Sequence, residues 1–328
     1  MAMQSGVTRR LAAWTSVLCL LGCWPAAQAA YPERPIRWII PAAAGGGADA
    51  AVRVVTAALT KRMGQPFVLD NRPGAAGAIG LNAIAKAAPD GYTIGTANLS
   101  NFVVASIAAR QLPYRPAQDF TPIARLTTQP NLLGVATSLP VHSVAELTTY
   151  AKSHPSPLFY GSSGSGSALH VVTELFRTSA GIELTHVPYK SSVAAGTDLA
   201  AGQVQLMIDN LSTMVPNVKG GRIRALATTG PKRSPLLPNV PTMAEAGVPA
   251  AEMLTWGGVV GPAALPEEVV SRLSAEITAV LKDPAVVRQL NDLGYESAPQ
   301  NAAQFAELIK SDNARWGAVI RRGNIKAD

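Results

Sequence analysis

The chain has 328 residues, with 28 Lys and Arg against 21 Asp and Glu, a formal charge of +7 and only 5% aromatic residues. The basic residues are dispersed apart from short pairs such as Lys232-Arg233 and Arg321-Arg322, so a nucleic-acid-binding stripe and a base-stacking platform are excluded. Both cysteines, Cys19 and Cys23, lie near the start, so beyond Tyr31 stability comes from a packed core and not from an internal disulfide.

Residues 1–30 read as a targeting segment, with Arg9-Arg10, an apolar stretch from Leu11 to Gly22, and Ala27-Gln28-Ala29 before Ala30-Tyr31. The apolar stretch is shorter than the roughly 20 residues a membrane span requires. Export to the periplasm is therefore expected. Leu20-Leu21-Gly22-Cys23 resembles a lipoprotein processing box, which leaves two outcomes open: acylation of Cys23, or soluble release after Ala29 or Ala30. Without Arg9 and Arg10 the balance is 26 basic against 21 acidic residues, or +5. About 298 residues remain, enough for a core and near the size at which a chain divides into two domains.

From Tyr31 the pattern alternates strand and helix, which predicts an α/β architecture with parallel pairing. Ile36–Ile40 is a strand, and Asp49–Met63 a helix with Val52, Val55, Leu59 and Met63 on one face, stopped by Gly64. Phe67-Val68-Leu69 opens a second strand, and the turn Asn71-Arg72-Pro73-Gly74 leads to an Ala/Gly-rich helix through Ile79, Ala83 and Ala87. Pro89-Asp90-Gly91 then sets up the strand Tyr92–Thr96. A first lobe is expected to run to about Leu126, with the apolar run Leu132–Ala136 opening a second.

In that second lobe Ser143 and Glu146 form a capping box, and Phe159-Tyr160 is a short strand. Leu169, Val172 and Phe176 mark a helix ended by Gly181, and Val204–Ile208 is a buried strand delivering Asp209-Asn210 at its carboxyl end. Ile223–Ala227 is read as the strand that carries the chain back to the first lobe, and the remainder as mostly helical. Pro266, Glu267 and Glu268 start one helix, followed by Pro284, and Phe305, Ile309, Trp316 and Ile320 lie along the last, up to Gly323.

Two glycine-rich loops carry the chemistry. Residues 41–49, containing Ala44-Gly45-Gly46-Gly47, and residues 160–167, Tyr160-Gly161-Ser162-Ser163-Gly164-Ser165-Gly166-Ser167, each follow a strand and enter a helix. Glycines let main-chain N–H groups close on a ligand, and the helix start adds unpaired donors and about half a positive charge. Two such cradles suggest two lobes gripping one small anion. Neither loop is a nucleotide fingerprint, because no Lys-Ser/Thr follows Gly47 and Leu169 stands where a third glycine is needed. A Gly-x-Ser-x-Gly elbow on Ser163 fails because residue 165 is serine. His142, His154, His170 and His186 show no metal-ligand spacing. No catalytic residue, metal or cofactor is expected.

These residues resemble, over nearly the whole exported chain, the substrate-binding component of tripartite tricarboxylate transporters, the Bug family of periplasmic receptors. The ordered set includes Pro35-Ile36-Arg37, Pro41 with Gly45-Gly46 and Asp49, Asn71-Arg72-Pro73-Gly74 and Pro89-Asp90-Gly91-Tyr92-Thr93. It continues with Leu112-Pro113-Tyr114, Gly164-Ser165-Gly166-Ser167 with His170, His186-Val187-Pro188-Tyr189-Lys190, Arg224-Ala225-Leu226-Ala227 and Trp256. The resemblance implies a two-lobed periplasmic binding protein type II fold, with mixed sheets flanked by helices and a ligand cleft between the lobes. The lobes are expected at residues 31–126 plus 228–328 and at 127–227.

Carried over residue by residue, the resemblance assigns Gly45, Gly46 and Asp49 to the first cradle and Ser163, Gly166, Ser167 and His170 to the second. Asp209 matches an acidic position flanking the pocket, and Ser100 and Asn101 are further ligand-binding candidates. The implied ligand is a small organic carboxylate and the implied partners are transporter membrane subunits; a monomer is expected. This chain departs from the pattern at Ala42, Ala48, Ala105-Ser106 and Lys190-Ser191, which leaves the ligand's identity open. Two other readings stand beside the receptor: a hydrolase or other enzyme acting on small acids or esters, and a ligand-presenting partner of a membrane sensor.

Overall fold

A computed structural model describes residues 31–108, 111–154, 156–323 and 325–326; the targeting segment, with Cys23 and the alternative cleavage sites, lies outside them. The first third of the described chain alternates as expected: β1 (Ile36–Ile40), α1 (Gly47–Met63), β2 (Phe67–Asn71), α2 (Ala78–Ala85) and β3 (Thr93–Asn98). Gly64 ends α1 in the left-handed conformation, its N–H closing on Thr60 O. A π-helical turn, Leu99–Val104, follows β3 and runs into α3 (Ala105–Ala108).

Next comes β4 (Phe120–Ala136), 17 residues long and almost wholly buried. The lobe boundary expected after Leu126 falls inside this one strand, which also contains the apolar run Leu132–Ala136. Pro130 and the run Thr127-Thr128-Gln129 interrupt the apolar pattern there, but their ladder partners come from a distant segment that sequence periodicity does not encode. Then follow α4 (Val144–Ser153), β5 (Leu158–Ser162), α5 (Ala168–Ala180), β6 (Leu184–Pro188), α6 (Ser192–Ala200), β7 (Leu206–Asn210), α7 (Leu211–Lys219) and β8 (Ile223–Thr228). Ser143 caps α4 by accepting from Glu146 N, while the Glu146 carboxylate reaches one residue further back than a capping box requires, to His142 N.

The last part corrects the expectation of a mostly helical remainder. It contains β9 (Leu254–Pro262), α8 (Glu267–Val280), α9 (Pro284–Asp292), β10 (Glu296–Gln300) and α10 (Ala302–Arg322). The strand β9 is central, antiparallel to β3 on one side and to β4 on the other. Its glycines hide it from propensity rules but are required by packing. A Cβ on Gly258 would lie 2.2 Å from the Phe305 ring of α10, and one on Gly261 would lie 2.4 Å from Leu265.

The strands run in the order β2-β1-β3-β9-β4-β7-β5-β6, with β8 and β10 also pairing β4. β1 pairs in parallel with β2 and β3, and β5 in parallel with β6 and β7. β4 joins the two sets: residues 120–130 pair with β9, and 131–135 with β7. The elements from Arg34 onward form one compact unit. Helices cover the sheet faces, with Trp38, Phe102, Tyr160, Phe176, Phe305 and Trp316 fully buried between layers.

Candidate ligand-binding site

Five strand-to-helix turns, after β1, β3, β5, β6 and β7, place residues around one cavity of about 210 Å³. Outside the carboxyl ends of strands is where open α/β sheets bind ligands. Each turn contributes a residue at a helix start: Ala48 of α1, Ser100 of the π-helical turn, Ala168 of α5, Ser192 of α6, and Asn210, which precedes α7. First-turn N–H groups have no intrahelical acceptor, so convergent helix starts create positive potential without a cation. None of the described residues lining the cavity carries a charge. One wall is apolar, because α1 turns Ala48, Ala51, Val52 and Val55 toward the cavity, with Leu126 and Leu169 nearby in the lining.

The two glycine loops reach this same cavity through Ala48 and Ser163. Ser100 and Ser163, both expected ligand contacts, line it directly. Ala44, Gly45, Gly46 and Gly47 form the exposed approach to α1 but are not in the lining. Gly45 takes a left-handed φ of 78°, and a Cβ on Gly47 would sit 2.8 Å from the Tyr295 hydroxyl, so both positions depend on glycine.

Asp49 does not face the cavity. It is 1% exposed, and its Oδ2 accepts from Gly45 N at 2.9 Å and Arg53 Nε at 2.8 Å, while Oδ1 accepts from Asn71 Nδ2 at 3.1 Å. Hydrogen bonding from Arg53 holds its pKa below the usual carboxylate value despite the opposing effect of burial. The chain's own carboxylate therefore takes one donor of the first cradle and fixes the loop's shape.

The second loop is organised by its own side chains. Gly166 N donates to His170 Nδ1 at 3.0 Å, and Ser167 Oγ caps α5 by accepting from His170 N at 3.2 Å. His170 stacks on His186 with ring centroids 3.9 Å apart, and His186 Nε2 lies 2.7 Å from Ser162 Oγ. Gly166, Ser167 and His170 thus shape the loop and are not in the cavity lining. Asn101 is also structural: it forms a reciprocal capping pair with Asn98, and its carbonyl accepts from Tyr114 Oη at 2.7 Å.

Asp209 is fully buried at the end of β7, between Ser192 and Asn210 of the lining. Its Oδ1 accepts from Asn210 N at 2.6 Å and from Ser192 Oγ at 3.2 Å. Burial, opposed by these two bonds, pushes its pKa up to about 7.

Other lining groups come from segments that no local motif marks. Gln129 of β4, Thr255 and Trp256 of β9, and Tyr295 before β10 meet at the cavity only through tertiary pairing. Thr255 Oγ1 is 3.2 Å from Gln129 O and 3.3 Å from Asn210 Oδ1, and Ser212 donates to Gln129 Oε1 at 3.0 Å. Burial raises the Tyr295 pKa, which keeps the phenol neutral. Trp256 donates to Asp312 Oδ2 at 2.7 Å from beneath the cavity. Among the described residues no cluster of three His, Cys, Asp or Glu is placed to hold a metal, and no helix is long and apolar enough to cross a membrane.

Known proteins share both sequence and shape with this arrangement. Residues 51–325 match the family model of the tripartite tricarboxylate transporter family receptor. The UPF0065 protein in the tcbD-tcbE intergenic region of Pseudomonas sp. (strain P51) is 38% identical over 300 residues, covering 91% of this chain and 89% of that protein. Rpa4515 of R. palustris, solved with adipate, superposes with a TM-score of 0.83 at 40% identity, covering 90% of this chain and 99% of the other. MatC of Rhodopseudomonas palustris, solved with bound malate, has a TM-score of 0.77 at 32% identity, covering 88% and 100%. The architecture is the two-lobed α/β fold of the periplasmic binding proteins, and the chain belongs to the receptor family of the tripartite tricarboxylate transporters.

Proposed function

We propose that this receptor works in the periplasm as a monomer, encloses one small organic carboxylate and presents it to the membrane subunits of a tripartite tricarboxylate-type transporter without converting it. The carrying observation is that helix starts from both ends of β4 converge on one cavity whose described lining residues include no charged side chain. Neutral donors and helix dipoles hold an anion while avoiding the desolvation of a fixed cation, and they release it when the lobes part. Relatives solved with adipate and malate support a carboxylate as the ligand class.

In this reading the lobes are residues 31–126 with 228–328 and residues 127–227, hinged within β4 and in the segment joining β8 to β9. Ser100 and Ser163 contact the carboxylate; loop residues 44–47 and Gly166-Ser167-His170 shape the two cradles. The carbon skeleton lies against the α1 wall of Ala51, Val52 and Val55. Turnover is disfavoured by the serine chemistry: the serine paired with a histidine is Ser162, which is fully buried and outside the cavity lining.

The test is a melting-temperature panel of malate, adipate, benzoate and acetate on protein refolded to strip carried-over ligand. A ligand at about 100 times its Kd adds roughly 2.7 kcal/mol to stability. Mass spectrometry of the recovered ligand must find it unchanged. No shift with any acid, or a chemically altered ligand, overturns the reading, and co-purification with a sensor kinase in place of transporter subunits redirects it.

A further inference from the structure

Among the described residues, Asp209 is a fully buried carboxyl that touches a residue of the cavity wall and forms no ion pair. Its Oδ2 has no hydrogen-bond partner among the described residues, while Oδ1 meets the Ser192 hydroxyl, which lines the cavity. The titratable groups on neighbouring elements are engaged with other partners or lie away from it. On α5, Glu174 pairs with Arg177 and accepts from Tyr160 of β5, and His170 bonds Gly166 N. His186 of β6 contacts Ser162; Asp198 of α6 accepts from Tyr189; Arg224 of β8 donates to the Leu139 and Val141 carbonyls. Arg125 on β4 donates to Ala298 O, Lys190 is exposed ahead of α6, and Lys219 closes the far end of α7. None of them forms an ion pair with Asp209 among the described residues.

We propose that Asp209 is a positioning residue that couples carboxylate binding to the uptake of one proton, by setting the direction of the Ser192 hydroxyl. This rests on the cavity being the carboxylate site. A serine hydroxyl has one proton, and an ionised carboxyl only accepts. While Asp209 is ionised, the Ser192 proton points inward to Oδ1, and the cavity meets serine lone pairs with a negative charge behind them. Both repel an incoming carboxylate. Once the Asp209 carboxyl takes a proton from solvent, it donates to Ser192 Oγ, and the serine proton turns into the cavity as a donor. No bond of the ligand breaks, and the proton returns to solvent on release.

The position of the titration, near pH 7, places the switch in a range a receptor experiences. If only the protonated form binds, affinity falls about tenfold per pH unit well above that value. The probe is whichever of malate, adipate, benzoate and acetate gives the largest melting shift. Titration calorimetry at about pH 8 in two buffers of different ionisation enthalpy counts the protons, with close to one taken up per ligand expected. Asp209→Asn, whose amide can donate to Ser192 permanently, abolishes the uptake and binds with a flat pH profile; a merely structural role would lower affinity and leave the slope. Ligand binding by the wild type with no proton uptake overturns the proposal while leaving the receptor reading intact, and this measurement stands even if Asp209→Asn fails to fold. A slope that persists in Asp209→Asn overturns it equally. If no acid binds, the receptor reading falls and the Asp209 role with it.

Discussion

The Ser100 hydroxyl accepts a hydrogen bond from the backbone amide of Ala168 at 3.2 Å, and both residues line the cavity. Ser100 follows β3 and Ala168 begins α5, so the bond ties a helix start on one side of β4 to a helix start on the other. Ser100→Ala removes about 1 kcal/mol from the closed arrangement and weakens ligand binding roughly fivefold. Calorimetry on the purified variant checks this; an unchanged Kd would mean that the bond has no part in closure.

Asp49 links the Gly45 amide, the Asn71 amide and the Arg53 guanidinium. Asp49→Ala leaves the part-buried Gly45 and Asn71 donors without their acceptor, and destabilisation of about 1–2 kcal/mol is expected, the exposed side of the Arg53 pair adding little. The pH dependence has a defined sign. A pKa held below the ordinary value of 3.8 contributes stability above that value, and the contribution disappears as pH falls through the folded-state pKa. The denaturation difference between wild type and Asp49→Ala should therefore be full at neutral pH and shrink in strong acid.

Asp209 has the opposite sign. Its pKa is raised from 3.8 to about 7, so the folded protein holds a proton that the unfolded chain has lost, and stability declines as pH rises from about 4 to 7. Asp209→Asn removes that decline. The variant should melt several degrees above wild type at about pH 8, with the gap narrowing toward pH 5. A constant gap would show that Asp209 does not titrate in this range.

Gly258 has no room for a methyl group, because its Cβ would fall 2.2 Å from Phe305 Cζ. The ring sits between β9 and α10 and cannot withdraw as a flexible chain end could. Gly258→Ala is expected to cost about 1–3 kcal/mol through overpacking and to lower the melting temperature by a few degrees. Gly258→Ala combined with Phe305→Leu should recover part of that loss, and a neutral single substitution would contradict the packing described.

Trp256 borders the cavity and donates its indole N–H to the half-buried Asp312 side chain. Ligand entry changes the polarity beside this ring, so tryptophan emission should shift on binding. Trp256→Phe should remove most of that response while Trp38 and Trp316, both fully buried, contribute little to it. A response undiminished in Trp256→Phe would place the ligand away from the β9 wall.

Much of this molecule is written in local pattern. The apolar face of α1, its stop at Gly64, the Ser143 cap and the two glycine loops each depend on residues within a few positions of one another, and all are where the sequence puts them. Periodicity and capping report such short-range physics directly. The strand β9 escaped that reading because its glycines are there to admit Phe305 and Leu265, side chains that become neighbours only after folding. The same holds at the cavity. Sequence determined that two glycine-rich loops would each enter a helix, but only tertiary structure decided that Asp49 would occupy a donor of the first, that Gly166, Ser167 and His170 would brace the second, and that Gln129, Thr255 and Tyr295 would complete the cavity wall. The reason is that a helix start advertises its free donors locally, whereas the group that satisfies each donor is chosen by chain segments far away in sequence.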